Sequence, residues 1–230
     1  MAINDGLLSL WEFEDDLTDS QGSNDLTAVG SSAAYASAVG NLGKGLEFDG
    51  SLRVQKASPS SLSPTSTITI GIACNIPAMT TRGELIDRIG GTEGFGLHVQ
   101  TTTSTFRTVI NGGAGNGQSS AAIDTGSLVF LMMTYNKDAG GTDEGKLYIN
   151  NAADGTMNYS TAIDYTPDPN LAIGAFYGGG NELVNGSIIY QLAIWNRVIT
   201  SVERSIWYGS GSGYNFSSPP VSTGNFFALF

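Results

Sequence analysis

Paired carboxylates on one strand face are the residues here that could do covalent chemistry. Glu12 and Glu14 flank Phe13 in GLLSLWEFEDD, the only carboxylate pair at strand spacing in a strongly apolar strand. Alternate strand residues share a face, so such a pair could hold an acid and a nucleophile about 5 Å apart across a glycosidic bond. The end of a strand entering a polar loop is the favoured reading of the pair, and we expect no catalytic residue and no enzyme. His98 is the single histidine, which excludes a multi-histidine metal site. A triad would need a nucleophile and an acid beside it, and GFGLHVQTTTSTF holds no nucleophile elbow. His98 is therefore expected as a strand residue with a hydrogen-bonded ring. GGAGNGQSS spaces its glycines as a phosphate loop does, but no Lys-Ser/Thr and no helix follow, so it reads as an ordinary loop.

Two other groups could bind rather than react. Asp15, Asp16, Asp19 and Asp25 crowd one loop and offer hard oxygens to calcium, the one cofactor the sequence raises. They do not follow the EF-hand register, and a solvated acidic turn is the competing reading. Phe176, Tyr177, Asn181 and Glu182 stand in the Gly-rich stretch AFYGGGNELVNG. An aromatic platform with a few polar partners is what a glycan requires. Tyr159 and Tyr165 are a second aromatic pair, and packing beneath the loops is the alternative for all four rings.

The elements that must position these residues are strands. The chain has 230 residues with 31 glycines and only 13% charged residues, which fits one large domain of short strands joined by Gly turns. A formal net charge of -11 opposes nucleic acid and anionic lipid, so neither is expected as a partner. Cys74 is the only cysteine, cannot form an internal disulfide, and lies in the apolar run ITIGIACNI. The start MAINDGLLSLWEFEDD has no basic segment followed by an apolar core, and no stretch is long and apolar enough to span a membrane. The expectation is a chain made in a host cytoplasm and not exported by the general route.

About a dozen strands are expected. GLEFDGSLRVQ reads as two of them around a hairpin-type Asp49-Gly50 turn, and SLVFLMMTYN as a central one. In IIYQLAIWNRVITSVERSIWYGSG a core strand is followed by a capping box, Thr200-Ser201-Val202-Glu203. Val202 and Ile206 share one helical face, and Gly209 can close the helix in a left-handed conformation. One short helix over the end of a sandwich is the expectation.

The same stretch resembles the closing pattern of laminin-G-like domains, members of the concanavalin A-like lectin and glucanase group. The matching residues are Ile194, Trp195, Asn196, Arg197, Thr200, Glu203, Trp207, Tyr208 and Gly209. GLLSLWEFEDDLTDSQGSNDL, GNLGKGLEFDGSLRV, GKLYINN and LAIGAFYGGG resemble further segments of that family in order. The resemblance implies an all-β, two-sheet antiparallel jelly-roll sandwich over residues 1–209, in which Arg197 orders the strand-to-helix corner. It departs from the family at Tyr190 and Gln191, where an acidic pair is usual, and at LVFLMM. Glu12 and Glu14 also lack the third acid of the catalytic strand in the group's glucanases.

Residues 210–230 are expected as a Gly/Ser/Pro spacer and an extended apolar arm, with Phe226, Phe227, Leu229 and Phe230 docking on a partner. The function expected is a virion structural protein of a bacteriophage, a decoration, fibre or tail component. Its partners would be other virion proteins or copies of itself, and its jelly roll would meet a host-surface glycan. The alternative is an adhesive glycan-binding module of a bacterial surface or secreted protein.

Overall fold

A computed structural model describes residues 2–217. Its strands are β1 (Leu7–Trp11), β2 (Thr27–Val29), β3 (Ala34–Ala36), β4 (Gly45–Phe48), β5 (Arg53–Lys56), β6 (Thr67–Asn75), β7 (Gly83–Ile89) and β8 (Gly94–Val99). They continue with β9 (Thr105–Ile110), β10 (Gly115–Ala122), β11 (Leu128–Asn136), β12 (Gly145–Ile149), β13 (Ala152–Met157), β14 (Leu171–Ile173) and β15 (Ser187–Trp195), before helix α1 (Ser201–Tyr208). All pairings are antiparallel. An eight-stranded sheet runs β13-β12-β11-β6-β15-β4-β3, with β1 and β4 sharing one edge of β15. A seven-stranded sheet runs β10-β9-β8-β7-β14-β5-β2. This is the two-sheet jelly-roll sandwich that the sequence implies.

Periodicity explains which strands are central. Ile68, Ile70, Ile72 and Cys74 of β6 meet Leu131 and Met133 of β11 and Phe95, Leu97 and Val99 of β8 in the core between the sheets. Burial pushes the Cys74 thiol far up, so it packs as a hydrophobe. The opposite faces of β11 and β15, with Phe130, Met132, Ala193 and Trp195, build a second cluster with Trp207 of α1. Strands buried on both faces need apolar residues on both parities, hence the unbroken runs in β11 and β15.

Helix α1 caps that second cluster. The Thr200 hydroxyl accepts the Glu203 amide at 3.2 Å, the Glu203 carboxylate accepts the Thr200 amide at 2.7 Å, and Gly209 ends the helix at φ 55°. Arg197 pairs with Glu203 at 2.6 and 2.9 Å and donates to the carbonyls of Asp5 and Ala2, so it orders this corner. The inward face is Glu203 and Trp207, whose indole donates to Gln191 at 2.9 Å. Val202 and Ile206 do share a face, but it is the solvent face, 68% and 42% exposed.

Three sequence expectations are corrected. Asp49-Gly50 does not close a hairpin: β4 and β5 belong to different sheets, and the turn carries the chain across the core because Phe48 and Val54 must both point inward. GGAGNGQSS is not all loop, since from Gly115 on it belongs to edge strand β10 (Gly115–Ala122). The first residues expected as spacer, up to Phe216, pack on the fold. Ser212 accepts the Asn41 amide, Tyr214 accepts the Gln191 side-chain amide, and Tyr214 and Phe216 pack edge-to-face against the second cluster.

Candidate binding site

The site is built on β7 and β8, where Glu84 lies opposite His98 and Asp87 opposite Gly96. Phe95, Leu97 and Val99 of β8 point into the core, so His98 and Gly96 belong to the outer face of the seven-stranded sheet. A bulge between Glu84 and Ile86 inserts one residue, which brings Glu84 and Asp87 onto that same outer face despite their odd spacing.

The segment after β14 folds across this face. Glu84 donates its amide to the Asn181 carbonyl at 2.9 Å, and the Asn181 side-chain amide donates to Glu84 Oε1 at 3.2 Å. Within the loop the Phe176 amide donates to Gly180 at 3.0 Å, the Gly180 amide to Glu182 Oε1 at 2.7 Å, and the Leu183 amide to Gly174 at 2.8 Å. Arg53 holds the Tyr177 carbonyl at 3.2 Å, and the Arg82 guanidinium sits 5.3 Å from the Phe176 ring centroid. Gly174, at φ 88°, enters the loop where a Cβ would come within 2.0 Å of the Phe48 ring. Asn181 turns at φ 55°, a conformation Asn tolerates better than most residues.

Between this loop and the Asp49-Gly50 turn lies a cleft of about 430 Å³, lined by Asn181, Glu182, Leu183, Val184 and Asn185, with Asp49, Gly50 and Thr81 opposite. Two of the four residues expected for glycan binding, Asn181 and Glu182, therefore line one cleft. Phe176 and Tyr177 do not line it. Phe176 packs on Arg82, and the backbone amide of Tyr177 points toward Asp87. A larger cavity, about 730 Å³, opens beside α1 and is lined by Ala38, Gly40, Ile206 and Tyr214. It abuts the end of the described chain, and its polar lining, Asn41, Ser205, Tyr214 and Asn215, carries no charged side chain.

Beneath the loop the electrostatics are unusual. Glu84 and His98 are fully buried and Asp87 nearly so. Burial and the neighbouring Glu84 push the Asp87 carboxyl up to about 7, against Arg82 and the amides of Tyr177 and Ile89. Burial also raises Glu84, against its contacts with Arg82 and Asn181. Burial, with Arg82 and Arg107, holds His98 down at about 3, so its ring is neutral. Sequence reasoning missed Glu84 and Asp87. Their spacing of three looks like opposite faces of a strand, and only the bulge brings them together.

The other expected sites disperse. Asp19 accepts Ser9 Oγ, Asn24 Nδ2 and the amides of Leu10, Gln21, Gly22 and Asn24, which hold its carboxyl below the usual range despite burial. Asp15 pairs with Lys44, Asp16 caps Thr18, and Asp25 accepts the Asp19 amide. These four organise their own loop and do not converge as a calcium ligand set. No group of three or more His, Cys, Asp or Glu is gathered for a metal ion among the described residues. Glu12 and Glu14 lie beyond the end of β1, one accepting Ser20 and Ser217 hydroxyls, the other the Lys44 amide. Tyr159 accepts from Asn111, and Tyr165 packs on Phe95 and Arg88, so both are packing residues. Phe226, Phe227, Leu229 and Phe230 lie outside the described residues.

The family profile described as concanavalin A-like lectin/glucanases superfamily matches residues 48–203, more than half of the chain. The chain belongs to this superfamily. No curated protein matches it. Among solved structures, superfamily membership is accompanied by likeness to the binding domain of Paraclostridial Mosquitocidal Protein 1, at TM-score 0.69 and 16% identity over 91% of this chain and 53% of that one. The binding domain of Botulinum Neurotoxin DC in complex with SialylT gives 0.66 and 14%, over 91% and 52%. Domain 4 of AbnA, a GH43 extracellular arabinanase from Geobacillus stearothermophilus in complex with arabinotriose, gives 0.60 and 16%, over 90% and 98%. This superfamily member thus spans about half the length of the two toxin binding domains and is matched by nearly all of the arabinanase domain. At these identities the likeness establishes the shared fold.

Proposed function

We propose that this chain is a non-catalytic glycan-binding module whose contact surface is the cleft between the 174–186 loop and the Asp49-Gly50 turn. The observation that carries the reading is that the loop is tied to the sheet at Glu84 and presents Asn181 and Glu182 into a cleft opposite Asp49 and Thr81. Carboxylate, amide and hydroxyl groups held on a fixed loop are what sugar hydroxyls need for paired hydrogen bonds. The arabinotriose complex of the similarly folded AbnA domain supports it by analogy of fold. Binding to an array of neutral and charged oligosaccharides tests it. We expect at least one class to bind, and Asn181→Ala with Glu182→Ala to weaken it at least tenfold. Binding unaffected by both substitutions would move the site elsewhere.

We further propose that the module works on a bacteriophage particle, anchored by its C-terminal segment through Phe226, Phe227, Leu229 and Phe230. What supports this is the apolar character of that segment after a Gly/Ser/Pro-rich stretch. Truncation before Gly224 should abolish association with particles or with other copies. A truncated chain that associates as well as the parent refutes the anchor.

A further inference from the structure

Directly behind the Asn181 contact, three buried atoms on one sheet face lack partners. Glu84 engages Oε1 with Asn181 and in an ion pair with Arg82, but Oε2 receives no hydrogen bond. Asp87 Oδ1 receives none either. His98 Nε2 lies 3.3 Å from Gln100 Oε1, an acceptor, which assigns the ring proton to Nε2 and leaves a lone pair on Nδ1. That Nδ1 stands 3.9 Å from Glu84 Oε2 and has no partner. All three side chains are at least nine-tenths buried.

The arrangement specifies its complement. These three atoms are acceptors, so what completes them must donate; the one unpartnered donor beside them is Arg82 Nε. Two of them are carboxyl oxygens, one on Glu84 whose other oxygen is paired with Arg82, so a positively charged donor is held better here than a neutral one. Among the described residues, Arg82 is the cation paired with Glu84. Its Nε is 2.5 Å from Glu84 Oε1 but misaligned for a hydrogen bond, and its side chain is 30% exposed at the rim. Arg107, opposite His98 on β9, disfavours a second proton on the ring and keeps Nδ1 an acceptor. A primary ammonium brings three donors on a compact charge, where a hydroxyl brings one and no charge. Asn181 joins the cleft to this cluster. Asn181 lines the cleft and donates to Glu84, so its amide occupies the position through which a donor from the cleft would reach the acceptors.

We propose that Glu84, Asp87 and His98 form a subsite for the ammonium group of an amino sugar, a hexosamine residue with a free amine, bound in the adjoining cleft. This rests on the reading of the cleft as a glycan site. An ammonium entering the subsite replaces the Asn181 amide at Glu84 and displaces the proton that the buried Asp87 carboxyl carries near neutrality. The sugar ring stays in the cleft against Glu182 and Thr81.

His98 is the sole histidine, so its ring nitrogens give an unambiguous nuclear magnetic resonance signal. The full chain is titrated at pH 7 with a glucosamine trisaccharide, its fully N-acetylated counterpart and trilysine. The expected result is a saturable shift of His98 Nδ1 with the free-amine trisaccharide only, weakened at least tenfold by Glu84→Gln and by Asp87→Asn. Calorimetry in two buffers of different ionisation enthalpy should show proton release. If the free-amine sugar shifts the amides of residues 181–185 and leaves His98 unmoved, the subsite is refuted and the cleft reading stands. If trilysine moves His98 as strongly as the sugar does, the amino-sugar assignment is overturned. If neither trisaccharide moves any signal while another glycan moves the cleft amides, the subsite alone fails. If no glycan moves them, the cleft reading fails as well. The wild-type comparison of ligands needs no variant to fold.

Discussion

Asp87 and His98 face the same buried surface and titrate in opposite senses. The Asp87 carboxyl is raised to about 7 by burial and by Glu84, above the roughly 3.9 of an unfolded chain. Folding therefore favours its protonated form, and the stability this gives at low pH is lost as pH rises from about 4 through 7. His98 is held at about 3, below the unfolded value of about 6.5, so its contribution is present above pH 6.5 and lost as pH falls toward 3. Between pH 4 and 6.5 the two slopes oppose each other. Asp87→Asn should be more stable than the parent at pH 7.5, by at most ~4 kcal/mol, and the advantage should vanish by pH 4. Urea denaturation across pH measures this, and a difference independent of pH would contradict it. A second residue prediction concerns the corner. Arg197 first, and the Thr200 amide and hydroxyl, hold Glu203 at about 2. Its contribution, on the order of 3 kcal/mol, is present above pH 4.5 and lost as pH falls through 2. Glu203→Gln should cost about that much at pH 7, and Thr200→Ala about 1 kcal/mol. Equal, near-zero losses in thermal melts would show that the corner is not held this way. Thr200-x-x-Glu203 was legible in the sequence because a capping box is local. Glu84 and Asp87 were not, because a bulge is set by the partner strand rather than by the residues it displaces.

The elements show the same division. Helix α1 was legible in position and type, yet the buried face was not the aliphatic one. The Arg197–Glu203 pair and the Trp207–Gln191 hydrogen bond turn the helix, leaving Val202 and Ile206 to solvent. Val202→Ser and Ile206→Ser should each change stability by less than about 0.5 kcal/mol, whereas Trp207→Ala should cost about 3–5 kcal/mol. Losses above about 2 kcal/mol for the two aliphatic variants, read by denaturant melts, would mean that this face is covered. Strand β10 escaped the sequence reading for a different reason. Its buried positions are Gly115, Gly117 and Ser119, so it alternates in burial without alternating in hydropathy. A Cβ at Gly117 would lie 3.0 Å from Leu147, which is why a glycine stands at an inward position. The hairpin expected at Asp49-Gly50 failed because turn chemistry alone cannot say which sheet the next strand joins.

At the scale of the whole molecule, the sandwich was the most legible feature. Apolar runs on both parities in β11 and β15, Gly turns between short strands and a late helix leave few other architectures. The site was less so. Asn181 and Glu182 were found as polar residues in a Gly-rich loop, but the cleft they share with Asp49 and Thr81 joins positions more than a hundred residues apart and exists only in the fold. The central claim is that this cleft holds a glycan. The most direct measurement is a backbone amide shift map of the full chain with the tightest-binding oligosaccharide from the array. The account predicts saturable shifts concentrated at Asp49, Gly50, Thr81 and residues 181–185. Shifts concentrated instead around α1 and the 38–43 segment, with these amides unmoved, would contradict it.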